Sequence, residues 1–280
     1  MNIIISEYSG FCFGVKRAMD LTLLESENSK SNIATYGPLI HNPQVVDYLK
    51  ERGVGFITDI NEALGVEKLI MPSHGAPKEL FERCKELNIK TIDATCPFVN
   101  VVHEKVKEFR DAGLFIVIIG DANHSEVKGI MSWTDYDCIV ISSEVEISNH
   151  DFSNKKVGIV SQTTNQPDFF NNISQKIASL AKETIISNTI CSATYKRQEK
   201  AASLAPTVDL MLVVGGKRSA NTKQLYQICK SSNSRTYYIE TANEMERYWF
   251  ENIETVGITA GASTPDWIIS DIVGQLKLIK

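Results

Sequence analysis

Three cysteines occupy equivalent places in the sequence, each between a short apolar segment and a helical pattern: Cys12, Cys96 and Cys191. Their separations of 84 and 95 residues each match the size of a small α/β module. Three thiolates that converge repel one another unless a metal compensates, and sulfur-rich sites select zinc or an iron–sulfur cluster. Three cysteines on a four-iron cluster leave one iron open. The alternative is three buried thiols, and the triplicated pattern favours the metal site.

A polar residue follows each cysteine by 28 or 29 residues, after a predicted strand and four residues beyond a glycine. These residues are His41, His124 and Ser219, and two positions further come Pro43, Glu126 and Asn221. Imidazole, hydroxyl and amide donors ahead of helix N-termini are typical of an anion site, and a diphosphate fits that set. The alternative is helix capping, which is routine for Ser and Asn.

Of the three equivalent residues Pro43, Glu126 and Asn221, Glu126 is the one that is acidic. A carboxyl group in a cavity beside a reduced cluster can be held protonated and can donate a proton. The alternative is an exposed glutamate at a helix start, where the helix dipole favours negative charge.

A third motif closes each module with a strand, a small polar turn, a proline and a helix. Aligning the prolines Pro77, Pro167 and Pro265 places His74 with Thr164 and Ala262, and Gly75 with Asn165 and Ser263. Three motifs in the same order, three times over, indicate an internal repeat.

The repeat predicts an α/β fold of three similar small parallel-sheet modules, arranged as a pseudo-threefold trefoil around a central cavity. The expected modules are residues 13–96, 97–188 and 189–280, and the N-terminal strand, within residues 1–12, fits either the first or the third. Each recurring polar residue follows a strand, so all of them are expected at the sheet edge where ligands collect.

The helix predicted after Cys96 begins at Pro97, because proline suits a first helical turn. Its apolar face is expected at Phe98, Val101, Val102, Val106 and Phe109, and His103 and His150 are expected at the surface. The cysteines outside the repeat are expected to be packing residues: Cys84, Cys138 and Cys229.

Composition limits the class of protein. With 280 residues, 43% of them hydrophobic, the chain can bury a substantial core. A net charge of −5 gives no footprint for a nucleic-acid backbone, and no apolar run approaches the roughly 18 residues of a membrane span. The N-terminus lacks the basic start and the cleavage site of a signal peptide. We therefore expect a cytoplasmic protein without a nucleic-acid or membrane partner.

The chain resembles the 4-hydroxy-3-methylbut-2-enyl diphosphate reductase family along essentially its whole length. The resemblance lies in GFCFGVKRA, GPLIHNPQVV, PSHGAP, DATCPFV, HSEVKG, QTT, Ala-Thr-x-x-Arg-Gln-Glu after Cys191, and TAGASTPD. It implies the reductive dehydroxylation of (E)-4-hydroxy-3-methylbut-2-enyl diphosphate to isopentenyl and dimethylallyl diphosphate, in the non-mevalonate pathway. It also implies a [4Fe–4S] cluster on Cys12, Cys96 and Cys191 with its fourth iron open to substrate, and an electron donor such as ferredoxin or flavodoxin.

By position, the resemblance assigns the proton donor to Glu126 and places His124 and Thr163 around the substrate hydroxyl. It assigns substrate binding to His41, His74, His124, Thr163, Ser219, Ala220, Asn221 and Ser263. One position departs from the family, because its common Ser-Ser-Asn run is Ser219-Ala220-Asn221 here. A side-chain contact at 220 is therefore lost, while the backbone N–H can still donate.

Three rival functions make different demands on the chain. A quinolinate-synthase-like enzyme, similar in its three modules and three-cysteine cluster, needs Arg or Lys for dicarboxylates where this chain offers His and hydroxyl groups. An electron-transfer or cluster-carrier protein has no need of Glu126 or Thr163. A metal-free binding repeat predicts a colourless protein after anaerobic purification.

Overall fold

The computed structural model describes residues 1–27 and 32–279, and within them twelve strands form three four-stranded parallel sheets. The first sheet holds β2 (Ile33–Tyr36), β3 (Val54–Ile57), β4 (Lys68–Met71) and β5 (Lys90–Asp93). The second holds β6 (Phe115–Ile119), β7 (Cys138–Ile141), β8 (Lys156–Ser161) and β9 (Glu183–Ile186). The third holds β10 (Leu210–Val214), β11 (Thr236–Ile239), β12 (Thr255–Ala260) and β1 (Asn2–Ile5).

Most consecutive strands are joined through an α-helix, whereas the described chain has only short 3₁₀ turns between β3 and β4, β7 and β8, and β11 and β12. The helices of the first half are α1 (Phe13–Glu27), α2 (Pro43–Lys50), α3 (Lys78–Glu86), α4 (Pro97–Asp111) and α5 (Ser125–Ser132). Those of the second half are α6 (Pro167–Leu180), α7 (Ser192–Leu204), α8 (Ala220–Ser232) and α9 (Asp266–Leu278). In the described part of the chain, no helix is long and apolar enough to span a bilayer.

All three sheets have the same strand order: β3-β2-β4-β5, β7-β6-β8-β9 and β11-β10-β12-β1. The N-terminal strand β1 pairs with β12, so it completes the third sheet. The prediction of an α/β fold with three similar parallel-sheet modules is therefore confirmed. The boundaries at 13–96, 97–188 and 189–280 and the pseudo-threefold arrangement stay predictions.

A backbone hydrogen bond recurs at the end of the equivalent middle strands β2, β6 and β10. The N–H of Gly37 donates to Ile57 at 2.7 Å, that of Gly120 to Ile141 at 3.0 Å, and that of Gly215 to Ile239 at 2.9 Å. Each glycine thus ends its strand against the neighbouring edge strand. The repeat seen in the sequence is a repeat of backbone geometry.

Contacts between Cα atoms divide the chain into two compact units. The first comprises residues 1–16, 40–48 and 192–280, and the second comprises residues 17–39 and 49–191. The third sheet lies within the first unit, and the first two sheets lie within the second.

The buried strands explain why the core forms where it does. Strands β6 and β10 are continuous apolar runs, FIVII and LMLVV, which is typical of parallel strands covered on both faces. In the second unit, Phe109 of α4 packs on β8 and touches Gly158, where a Cβ would lie 2.4 Å from the aromatic ring.

The buried face of α4 differs in part from the face predicted. Val102, Val106 and Phe109 are buried as expected, whereas Phe98 is 42% and Val101 is 56% exposed. The expectation of a surface position for His103 is wrong, since it is only 4% exposed. The buried face of α4 is therefore rotated from the predicted one, so that it includes His103 and leaves Phe98 and Val101 exposed.

Gly158 provides a test of this packing. We expect Gly158→Ala to lower the melting temperature, because overpacking a core costs about 1–3 kcal/mol. Adding Phe109→Leu, which opens space for the new methyl group, should recover part of the loss. Gly274→Ala is the control, because a Cβ at this exposed position of α9 meets nothing within 4 Å. It should raise the melting temperature, and an equal loss in both alanine variants would contradict the packing described.

Candidate active site

The strand order creates a switch point in the middle of the first two sheets. There the chain leaves one middle strand toward one edge and the other middle strand toward the opposite edge, so switch points lie between β2 and β4 and between β6 and β8. In the third sheet β10 and β12 hold the same middle places, and the N-terminal strand β1 lies at the edge beside β12. Ligands in open α/β sheets bind beyond the carboxyl ends of strands at such a point. The recurring polar residues follow these strands directly, so the topology explains why they pair.

The second sheet shows such a pair in atomic detail. The N–H of Thr163, after β8, donates to Oε1 of Glu126 at 2.6 Å, and its hydroxyl donates to Oε2 at 2.9 Å. Glu126 lies in the first turn of α5 and is 3% exposed, and Thr163 is 6% exposed. Both carboxyl oxygens are therefore held by a single residue of the neighbouring strand end.

Burial determines the protonation of this carboxyl group. Desolvation raises the pKa of Glu126 to about 7, and the two hydrogen bonds from Thr163 oppose that rise. The group is therefore poised to hold or release a proton near neutral pH.

His124 stands at the N-cap of α5, directly ahead of that pair. Its Nδ1 accepts the N–H of Glu126 at 3.1 Å, so in the neutral imidazole the proton is on Nε2. Histidine is a poor cap in general, yet here the side chain does cap the helix. This contact orients the Nε2–H donor.

Thr163 also connects the carboxyl group to a cysteine. The N–H of Cys191 donates to the Thr163 carbonyl at 2.9 Å. The same bond recurs from Cys96 to Ser73 at 2.9 Å and from Cys12 to Ala262 at 3.2 Å. Each cysteine follows the fourth strand of its sheet and is tied to the turn after the third strand.

These bonds correct the proline alignment of the third motif. Ser73, Thr163 and Ala262 occupy one structural position, so the next residues, His74, Thr164 and Ser263, are equivalent. Asn165 and Thr264 then correspond, and both donate side-chain bonds to the end of the first strand, at Ile119 and Val214. The alignment of Ser263 with Gly75 and Asn165 is wrong, because the third turn is one residue shorter before its proline.

The second motif also needs a shift of one residue. The N-caps are His124 in α5, Ser219 in α8 and, in α2, Asn42, whose Oδ1 accepts the N–H of Val45 at 3.3 Å. His41 therefore precedes its cap, because the first turn carries one extra residue after Gly37. A Cβ on Gly216 would lie 2.4 Å from the His41 carbonyl oxygen, so the close approach of these two segments of the first unit requires glycine.

Polar side chains gather at the N-terminus of α8 in the first unit. Ser263 donates to Ser219 at 3.4 Å between their Oγ atoms, and Ser219 Oγ accepts the N–H of Thr222 at 3.4 Å. Asn221 is 4% exposed, and neither atom of its amide has a hydrogen-bond partner. Leaving a buried amide unpaired costs free energy. An unpaired buried amide beside a helix N-terminus offers donors of the kind that bind anions.

The remaining predicted residues are distributed over both units. His74 and Cys96 lie in the second unit with His124, Glu126, Thr163 and Cys191, and Cys12 and His41 lie in the first with Ser219, Ala220, Asn221 and Ser263. The three repeat cysteines are half-buried, and so is Cys138, which packs against a core cluster of the second sheet. Cys84 and Cys229 are fully buried. Over residues 1–27 and 32–279, no three His, Cys, Asp or Glu side chains lie close enough to hold a single metal ion.

Two arginines position the cysteine loops, a role that was not predicted from the sequence. Arg197 of α7 is 2% exposed and donates to the carbonyls of Tyr8 at 2.7 Å and Gly10 at 2.8 Å, in the loop before Cys12. Arg17 of α1 donates to the carbonyl of Thr95, the residue before Cys96, at 3.2 Å. The sequence pattern that could have indicated this role is an arginine five or six residues after a repeat cysteine, since Arg17 follows Cys12 and Arg197 follows Cys191.

The fold and the site define an α/β protein with a buried acid, whose pKa is about 7, at a sheet switch point. Through Thr163 this acid is tied to the backbone of a strand-end cysteine. Comparison with known proteins identifies the family of this chain. The family model described as LytB protein matches residues 3–277, and the chain belongs to this family.

Similar proteins agree with that assignment. Relatives named 4-hydroxy-3-methylbut-2-enyl diphosphate reductase are 44% identical in Aquifex aeolicus, covering 100% of this chain and 97% of that protein, and 41% identical in Clostridioides difficile, covering 99% of each. A solved structure of that reductase, described as the terminal enzyme of the non-mevalonate pathway, has 43% identity, complete coverage of both chains and a TM-score of 0.72. That of the Plasmodium falciparum E-1-hydroxy-2-methyl-but-2-enyl-4-diphosphate reductase has 30% identity, a TM-score of 0.92, and coverage of 99% of this chain and 88% of the other. The family resemblance is confirmed.

The raised pKa of Glu126 predicts a pH dependence of stability. An acid whose pKa is higher in the folded than in the unfolded state contributes stability below its unfolded pKa of 4.5 and loses it as the pH rises through about 7. Relative to Glu126→Gln, the parent should lose about 3 kcal/mol between pH 4 and pH 8. Melting temperatures of both proteins across this range test the sign. A difference that does not change with pH would contradict the raised pKa.

Proposed function

We propose that this chain catalyses the reductive dehydroxylation of (E)-4-hydroxy-3-methylbut-2-enyl diphosphate to isopentenyl diphosphate and dimethylallyl diphosphate. The observation that carries the proposal is the Glu126 carboxyl group, buried, with a pKa of about 7, and joined through Thr163 to the backbone of Cys191. Family membership and the names of its relatives support the same reaction.

The reaction consumes two electrons and two protons. The allylic C–O bond breaks, the hydroxyl group leaves as water after taking one proton, and the second proton adds to the carbon chain. Glu126 is the proposed source of a proton, because its carboxyl group can be protonated at neutral pH. Thr163 fixes both oxygens of that carboxyl group, and we assign the Nε2–H of His124 to the substrate hydroxyl.

We propose that Cys12, Cys96 and Cys191 hold a [4Fe–4S] cluster. Sulfur ligands suit such a cluster, and each of these cysteines is half-buried and is anchored by its own N–H at the same place in its repeat. In a cluster each thiolate binds a different iron, so a three-cysteine set leaves one iron available. When bound, the cluster supplies electrons and a Lewis-acidic iron.

The diphosphate is assigned to the anion-binding turns. Ser219, Asn221 and Ser263 offer a hydroxyl pair and an amide with no internal partner. Ala220 is the first residue of α8, so its backbone N–H points out of the helix start and can donate where a serine side chain is missing. We assign His41 and His74 to the same diphosphate, as the family resemblance implies.

The electrons come from a partner in this proposal. A one-electron carrier such as ferredoxin or flavodoxin would have to supply them one at a time, since the reaction consumes two. We also propose a cytoplasmic location, as expected from the sequence. The proposal is tested by anaerobic assay: the reduced protein with bound cluster should convert the substrate to both products, and an intact cluster without turnover would contradict it.

Glu126→Gln tests the proton donor. The amide keeps the shape of the side chain but cannot release a proton at neutral pH, so we expect turnover to fall at least about a hundredfold. Substrate affinity and the visible spectrum of the cluster should stay the same. Steady-state kinetics and calorimetry of substrate binding measure the two effects. Full turnover in the variant would remove Glu126 from this role.

Cys96→Ser tests the cluster assignment. Loss of one thiolate should reduce bound iron and bleach the brown absorbance after anaerobic reconstitution. Cys84→Ser is the matched control, because Cys84 is a fully buried residue of the first sheet's core. That variant should lower the melting temperature and keep the iron content. Equal iron content in both variants would mean that Cys96 is not a ligand.

A further inference from the structure

A buried histidine that the proposed reaction does not use lies on α4 of the second unit. His103 is 4% exposed, and its Nε2 is buried without a hydrogen-bond partner. An unpartnered polar atom in a core costs free energy, so packing alone favours an apolar side chain at this position. The surroundings of the ring suggest what the imidazole provides instead.

One side of the ring lies against the turn that carries His74. A Cβ built on Gly75 would be 2.9 Å from Cε1 of His103 and 3.3 Å from its Nε2, so the imidazole occupies the space that a side chain would need. Gly75 also has a φ of +84°, which favours glycine on its own account. The ring thus packs directly against the backbone of Gly75, the residue after His74, and determines how closely this turn approaches α4.

The other side of the ring faces α5, the helix that begins with His124 and Glu126. A Cβ on Gly129 would lie 3.7 Å from Nε2 of His103, and the ring centroids of His103 and Trp133 are 5.6 Å apart. The same turn is joined to α5 a little further on, where the N–H of Lys78 donates to the hydroxyl of Ser132 at 2.9 Å. The imidazole therefore fills the gap between two glycines, one in each element.

The ring stays neutral in this environment. Burial, and then the positive charge of Lys107, lower the pKa of His103 to about 4, against the opposing charges of Asp93 and Glu104. No counter-charge is needed in the gap at neutral pH, so the ring can act as a flat, uncharged spacer.

We infer that His103 is a positioning residue, which holds the His74 turn against α5 and so sets the place of His74 relative to His124 and Glu126. The inference rests on the proposed function, because it concerns substrate binding through His74. The contact with the His74 turn is the closer one, so the effect of a substitution is expected mainly in KM.

The test uses the enzyme with its cluster bound and two variants. His103→Leu should raise KM for the substrate about tenfold or more with a smaller change in kcat. His103→Gln, whose planar amide can lie in the same gap, should give an intermediate rise of about threefold or more. If His103→Leu does not fold, the KM of His103→Gln alone tests the inference.

Phe109→Leu is the matched control. Phe109 is on the same helix, is also 4% exposed, and packs on Gly158 rather than on the His74 turn. It should lower the melting temperature and keep KM within about twofold. A KM within twofold of the parent for a folded His103 variant would overturn the inference, since a purely packing role moves only stability. An inactive parent would instead overturn the proposed function, and the inference with it.

Discussion

The structure depends on one backbone hydrogen bond made three times, from the N–H of each repeat cysteine to the turn after the neighbouring strand. In the second sheet the acceptor residue is Thr163, whose N–H and hydroxyl also hold the carboxyl group of Glu126. A single residue thus fixes a cysteine backbone on one side and an acid on the other. A shift of that turn would move Cys191 and the carboxyl group of Glu126 together.

The sheet topology makes this arrangement possible. All three sheets have the same strand order, and in the first two the chain leaves the two middle strands in opposite directions, which leaves a crevice at their carboxyl ends. In the second sheet the crevice buries Glu126 and so raises its pKa, and in the third the amide of Asn221 is unpaired. One scaffold therefore presents a buried acid in one sheet and an unpaired buried amide in another.

The sequence predicted the repeat, the α/β class and the strand-end residues, because strand and helix periodicity and glycine turns are local signals. It could not place the one-residue shifts at His41 and Ser263, since only hydrogen bonds show which turn residues are equivalent. It also missed the burial of His103 and the carbonyl contacts of Arg197, which depend on residues distant in the chain. Local patterns do not carry such tertiary contacts.

The central claim is that three cysteines, one from each repeat, hold a cluster whose remaining iron is open to the substrate. Mössbauer spectroscopy of the anaerobically reconstituted protein, with and without the substrate diphosphate, tests it most directly. We expect a distinct subsite with about a quarter of the iron, whose spectrum shifts when substrate is added. Four equivalent irons that do not respond to substrate would contradict it, and so would the absence of a cluster after reconstitution.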